Sequence, residues 1–321
     1  DVYYLNYPNK KFKDIPAYLS LIHNIKHVFV MGGMNLKKVG YLKNIMPKSV
    51  KFYGNLEYLH PECLNQISPS KSSYNYVEEP KINSHRIIQN FKMFNGNGLV
   101  EKDDFVIDRV FPYLPKSQIN FFKNLNLDCS YLVVHTGLVS PNLKSMNVDY
   151  WIKLIRKIIN DFKFKIIIIG SNLEKKNIDF IEKNVNNRQL INLCGKTDLT
   201  GTIQIINKSQ MILSVDSGMS HLAASLKKKL ITLFGPTDSG NVAPFGTEGF
   251  TISNKVECSP CYWGNNFFNC PYDRKCLNDI NLHVILDTMK TLVHGSVLEK
   301  RSDGHCFVNK IQSLASMMEV I

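Results

Sequence analysis

The sequence predicts an α/β protein built on doubly wound parallel sheets. Three observations carry that prediction. Strand-length apolar runs alternate with amphipathic stretches of helix length. In the second half the runs are apolar on both faces, as strands covered by helices on each side must be. Several runs end at Gly, Ser or Asp, where a tight strand-to-helix turn belongs. A length of 321 residues is enough for two such domains.

In order, residues 2–5 read as a strand, 15–25 as a helix, and His27-Val28-Phe29-Val30-Met31 as a second strand stopped by Gly32-Gly33. The Ser-, Tyr- and Pro-rich stretch 65–83 has little periodicity and reads as a loop. Residues 85–94 form an amphipathic pattern closed by Asn95-Gly96-Asn97-Gly98. Pro112, Pro115, Asn120, Asn124 and Asn126 mark a boundary, which gives domains over 1–125 and 126–321. Beyond it come a strand at 131–135, a helix at 149–162 and a fully buried strand at 165–169 stopped by Gly170-Ser171. The alternation continues with a helix at 174–184, a strand at 190–193, a helix at 200–208 and a strand at 210–215. A helix at 221–226 and a strand at 230–234 follow, the latter ended by Gly235-Pro236. From Asn281 onward the pattern reads as helices, with Ser302-Asp303-Gly304 as a turn.

Composition narrows the function. Hydrophobic residues at 44% and charged residues at 21% exclude disordered, collagen-like and disulfide-stapled classes. The excess of 39 Lys+Arg over 27 Asp+Glu, a net charge of +12, favours an anionic partner: nucleic acid, an acidic membrane face or a phosphorylated substrate. The basic residues are spread along the chain, and no recognition-helix or aromatic RNA-binding signature accompanies them, so nucleic acid is not the expected partner. No apolar run reaches the roughly 20 residues that span a bilayer; the strand at 165–169 is preceded by Lys163 and contains Lys165.

The stretch Ser214-Val215-Asp216-Ser217-Gly218-Met219-Ser220-His221 combines a strand end, a tight turn and a helix start. Gly218 lets a ligand approach the backbone, and Ser217 and Ser220 supply hydroxyls. The new helix aims unpaired N–H groups and its positive dipole end outward. A diphosphate suits that arrangement, with Asp216 placed for sugar hydroxyls; an ordinary N-cap turn is the alternative. Leu233-Phe234-Gly235-Pro236-Thr237-Asp238 forms a second strand-end turn, suggesting one pocket shared by the two.

These two turns, followed by Cys258-Ser259-Pro260-Cys261, resemble glycosyltransferase family 9, the heptosyltransferases of lipopolysaccharide core assembly. The resemblance implies a GT-B fold with two Rossmann-like domains facing a cleft. It also implies metal-independent, inverting transfer of a sugar from a nucleotide donor such as ADP-heptose to a glycolipid acceptor. By the same resemblance, Asp216, Ser217, Gly218 and Met219 would hold the donor, with His221 supporting the turn. Thr136, in His135-Thr136-Gly137, and Lys144 would meet a donor phosphate, and Gly170, with Glu174 beyond it, would line the ribose side. Work on a lipid acceptor implies a cytoplasmic protein peripheral to the inner membrane face.

The family's catalytic base is a carboxylate in a Gly-Asp turn near the amino terminus, and this chain has none there. Asp14, in Phe12-Lys13-Asp14-Ile15, is the candidate in one register, and it also reads as a plain N-cap. In the other register the first strand and its base precede residue 1, consistent with a start at Asp1 in place of Met.

Cys258, Cys261, Cys270 and Cys276 fall in a Cys-x2-Cys-x8-Cys-x5-Cys pattern. Four thiols at such spacing suit one tetrahedral metal, zinc by default or iron, in a structural role. Two disulfides, or four inert loop thiols, are the alternatives.

Overall fold

The structure, a computed structural model, describes residues 27–30, 48–49, 51–55, 76–78, 85–95, 130–139, 143–261, 270–295 and 306–312. Two compact units divide the chain, Asp1–Ile82 with Gln89–Glu101, and Asn83–Ile88 with Lys102–Ile321. The expected strand at 2–5, the helix at 15–25, Asp14 and the turn at 302–304 lie outside the described residues.

In the first unit, β1 (His27–Val30), β2 (Lys51–Asn55) and β3 (Tyr76–Glu78) form a parallel sheet in that order. The parallel pairing is what a βαβ rhythm demands. The segment 65–83, expected as a loop, contains β3: three residues pair with Tyr53, Gly54 and Asn55, and so short a strand leaves no periodicity to read. Helix α1 (Arg86–Asn95) follows as expected.

The second unit holds a seven-stranded sheet. Its strands are β4 (Tyr131–His135), β5 (Lys165–Ile169), β6 (Leu190–Asn192), β7 (Met211–Val215), β8 (Lys229–Phe234), β9 (Gly249–Asn254) and β10 (Cys306–Lys310). The spatial order is β10-β9-β8-β7-β4-β5-β6, parallel except for β10. Chain order therefore runs outward from β4 to one edge and then returns to continue from β7 to the other. That reversal between β4 and β7 is the switch point at which open α/β sheets bind ligands.

Alternation along each strand explains the two cores. Leu132, Val134, Ile166, Ile168, Leu213 and Leu233 face α2 (Val148–Phe162), α3 (Lys175–Val185) and α8 (Leu282–His294). Tyr131, Val133, Ile167, Ile169 and Ile212 face α4 (Leu199–Lys208) and α5 (Gly218–Ser225). All eleven of these strand side chains are buried, because a sheet covered on both faces has no solvent side. Trp151, fully buried on α2, donates its indole N–H to Ser145 Oγ at 3.3 Å, so its one polar atom is satisfied within the core.

The helices stop and start on local chemistry. Asp198 caps α4 by accepting from Gly201 N at 2.7 Å, and Asn281 caps α8 by accepting from His283 N at 2.9 Å. Gly295, with φ +70°, ends α8 in a left-handed conformation. The expectation of helices throughout the carboxyl segment is corrected at β10, which pairs antiparallel with β9 at the sheet edge. Phe307, Asn309 and Lys310 are not buried, so β10 lacks the apolar run that marks the central strands. The short α6 (Ser239–Val242) and α7 (Lys275–Asn278) complete the unit.

Candidate functional site

The carboxyl ends of β7 and β8 carry the centre of the site. Asp216 follows β7, is 7% exposed, and donates its backbone N–H to Leu233 O at 3.1 Å. Its Oδ2 accepts from Lys144 Nζ at 2.9 Å and from Thr237 Oγ1 at 2.7 Å. Lys144, on the loop before α2, has a side chain only 22% exposed, so it is a partly buried cation clamped to a buried carboxylate and not a solvated loop lysine.

Ser217 sits in extended backbone and caps α5, its hydroxyl accepting from Met219 N at 3.3 Å. Two expectations are corrected here. The Met219 N–H is spent on that cap, and the buried Ser220 hydroxyl donates to Ser217 O at 2.7 Å, so neither is offered outward. Gly218 is different. As the first helical residue its N–H has no intrahelical acceptor, the residue is exposed, and a Cβ built there would meet nothing within 4 Å. The positive end of α5 thus opens onto clear space beside the Lys144 cation, a combination that attracts an anion.

Behind this turn lies a second polar group. His135, the last residue of β4, is buried between Ser217 and Glu174: Nδ1 is 3.1 Å from Ser217 Oγ, and Nε2 faces Glu174 Oε1 at 3.6 Å. Glu174, 3% exposed, accepts at Oε2 from Ser171 N at 2.9 Å. Burial lowers the His135 pKa against the opposing pull of Glu174, leaving the imidazole neutral at neutral pH. Gly170 follows the last residue of β5, where a Cβ would press on the Glu174 carboxyl at 2.8 Å. Thr136 is fully buried; its carbonyl accepts from Ser145 Oγ at 2.6 Å, and its own Oγ1 has no partner among the described residues.

His221 lies in the first turn of α5, exposed, within electrostatic range of Asp216 and Lys144. His85, which the sequence did not single out, is buried in the same unit, its ring tilted at 38° to that of Phe245 with centroids 6.1 Å apart. Its Nδ1 accepts from Ile87 N at 3.3 Å and its Nε2 donates to Ala243 O at 2.9 Å, an arrangement only the neutral ring can make. Thr237 is legible in the sequence only as part of the second turn; its bond to Asp216 ties the two turns together.

The four cysteines of the cluster are free thiols that line one pocket with Leu143, Pro236, Tyr272, Arg274 and Lys275. Among the described residues no three Cys, His, Asp or Glu side chains stand close enough together to hold a metal ion. As arranged, the thiols do not fit zinc or iron, and they are not paired as disulfides. Burial and neighbouring thiols raise Cys261, and push Cys276 up to about 12, so these groups are protonated. The pocket is joined to the site: Cys261 N donates to Pro236 O at 2.8 Å and Ser259 Oγ to Gly235 O at 2.5 Å, holding the turn that carries Thr237.

Comparison with known proteins meets this geometry from the other side. Residues 78–270, more than half of the chain, match the family model described as glycosyltransferase family 9 (heptosyltransferase). Lipooligosaccharide heptosyltransferase 2 of Campylobacter jejuni is 30% identical over 114 residues, 35% of this chain and 34% of that protein. Lipopolysaccharide heptosyltransferase 1 of Escherichia coli K12 is 28% identical over 97 residues, 30% of this chain and 25% of that protein. The match thus spans about a third or less of the length of these curated relatives. Among solved structures, E. coli ADP-heptose LPS heptosyltransferase II superposes with a TM-score of 0.62 at 15% identity, covering 88% of this chain and 80% of that one. The glycosyl transferase family 9 structure from Veillonella parvula gives 0.65 at 12% identity, covering 88% and 78%. The fold is GT-B, and the chain belongs to glycosyltransferase family 9.

Proposed function

We propose that this protein transfers a heptose from ADP-heptose to a lipopolysaccharide-type glycolipid, inverting the anomeric centre. The observation that carries the reading is the open, Gly218-led amino end of α5 beside the Lys144–Asp216–Thr237 cluster at the carboxyl ends of β7 and β8. In an inverting transfer the acceptor oxygen bonds to the anomeric carbon as the bond from that carbon to the diphosphate oxygen breaks, and negative charge gathers on the departing nucleotide. The helix end and Lys144 would stabilise that charge in place, with no metal in the chemical step. Asp216, held rigid by two donors, would present its remaining lone pairs to sugar hydroxyls. ADP as the nucleotide is supported by an E. coli heptosyltransferase of this fold solved with ADP-2-deoxy-2-fluoro heptose. Asp14, the candidate for the acceptor's proton in one of the two registers, lies outside the described residues.

The acceptor class agrees with the net charge of +12, which would draw the protein to a phosphorylated glycolipid on the cytoplasmic membrane face. Among the described residues no helix is long and apolar enough to cross a membrane. The test is thermal stabilisation by ADP, ADP-heptose, UDP and GDP, since a ligand at 100 times its Kd adds about 2.7 kcal/mol to the folded state. Stabilisation by the ADP species above the other two is the expected result. Equal stabilisation by all the nucleotides, or by none, would refute the donor assignment.

A further inference from the structure

The group formed by His135, Glu174 and Ser217 is left without a task by the donor site as described. It spans the carboxyl ends of β5, β4 and β7, which are neighbours in the sheet and flank its switch point. Glu174 Oε1 is buried and no hydrogen-bond donor among the described residues reaches it; the atom facing it is His135 Nε2 at 3.6 Å. A buried carboxyl oxygen calls for a donor, so the neutral ring carries its proton on Nε2 and presents Nδ1 as an acceptor. Ser214 Oγ is also near, 3.4 Å from Nδ1 and 3.3 Å from Ser217 Oγ, but its hydrogen goes to Val215 O at 2.9 Å. Ser217 Oγ, at the shorter 3.1 Å, then donates its only hydrogen to Nδ1 while its lone pair takes the Met219 N–H. In the free protein the Ser217 hydroxyl is therefore turned inward and its hydrogen is withheld from the space over Gly218.

We propose that His135 takes up one proton when an anionic diphosphate docks at the α5 turn, and that this uptake turns the Ser217 hydroxyl outward onto the ligand. The proton comes from solvent and goes to Nδ1. Nδ1–H then donates to Ser217 Oγ, the Ser217 O–H swings to a phosphate oxygen, and Nε2–H closes on Glu174 as an ion pair. Free imidazole and bound imidazolium both keep Nδ1 and Ser217 Oγ paired, and the imidazolium also closes on Glu174 Oε1, which makes the group a two-position device and not a leftover contact. The inference rests on the donor-site reading above. Among the described residues the charged group facing His135 is Glu174 beyond β5, while Asp216 and Lys144 act on His221 at the α5 turn. Cys194 at the end of β6 acts on Glu174, and burial pushes its thiol up to about 11, so it carries no charge. A docked diphosphate adds net negative charge to this set.

The test is calorimetric titration with ADP at pH 7.5 in buffers of different ionisation enthalpy, which reads the protons taken up. The wild type is expected to gain a substantial fraction of one proton, and His135→Asn and Ser217→Ala none. Ser217 is only half-buried, so Ser217→Ala preserves the test should His135→Asn fold poorly. Ring 15N spectra, with His135 assigned by its substitution, are expected to show Nδ1 passing from bare acceptor to N–H on ADP binding. ADP that binds with no proton uptake, or uptake retained in His135→Asn, overturns the relay and leaves the donor site standing. ADP that does not bind overturns the donor site. The relay is then decided in the free protein, where Ser217→Ala must shift the His135 Nδ1 resonance; an unmoved resonance overturns it as well.

Discussion

Replacing Lys144 by Met removes a cation from a pair that is neither fully buried nor free in water. Breaking a fully buried pair costs about 3–5 kcal/mol, and an exposed one is worth about 0.2–1 kcal/mol. Asp216 is 7% exposed and the Lys144 side chain 22%, which places the pair toward the buried end. Thr237 remains on the same carboxylate oxygen, so the orphaned charge keeps one donor. We therefore expect Lys144→Met to cost about 2–3 kcal/mol, the range for losing a hydrogen bond to a charged group. At about 2–4 °C per kcal/mol for a unit of this size, the melting temperature falls by about 4–12 °C. Asp216→Asn alone should cost less, because the Lys144 side chain, 22% exposed, already reaches solvent in part. The double variant should be more stable than the two losses summed, by about 1–2 kcal/mol of coupling. The assay is urea and thermal unfolding of all four proteins in the absence of nucleotide. A Lys144→Met loss under about 0.5 kcal/mol, or strict additivity, would refute the claim that this pair organises the turn.

Gly218→Val should leave the melting temperature within about 2 °C of wild type, since its Cβ meets nothing within 4 Å, while weakening ADP binding at least tenfold. Unfolding and calorimetry on the same sample check both halves, and unchanged affinity would mean that the space over Gly218 is not where the diphosphate sits. Cys276, with its pKa pushed up to about 12, should react with a thiol reagent at pH 8 far more slowly in the folded protein than in denaturant, and faster as pH rises; mass spectrometry of the modified peptides reads the difference.

The legibility of this chain follows burial. Strands β4, β5, β7 and β8 were readable because a parallel strand covered on both faces must be a continuous apolar run, as in Lys165-Ile166-Ile167-Ile168-Ile169. β10 was not, since an antiparallel edge strand with exposed Phe307, Asn309 and Lys310 carries no such run. In the site, Asp216, Ser217 and Gly218 announced themselves because one turn brings together a cap, a strand end and a helix start. The pairing of Asp216 with Lys144, 72 residues away in sequence, has no local signal, and neither does the bond from His85 to Ala243 across 158 positions. The spent hydroxyl of Ser220 is the opposite case, a residue whose type suggested a ligand while its geometry served the backbone. The cysteine spacing brought four thiols to one pocket without the closeness that a metal requires.

The hydrogen bonds that Ser259 and Cys261 give to the carbonyls of Gly235 and Pro236 set a rule for anyone recombining parts of this family. A loop transplanted in place of residues 255–261 would arrive without those two donors unless it supplied its own. The β8 turn would then drift, and Thr237 would leave Asp216. Chimeras cut on either side of that loop should therefore lose nucleotide affinity even when every residue touching the nucleotide is kept, and the practical crossover points lie outside the whole stretch from 229 to 280.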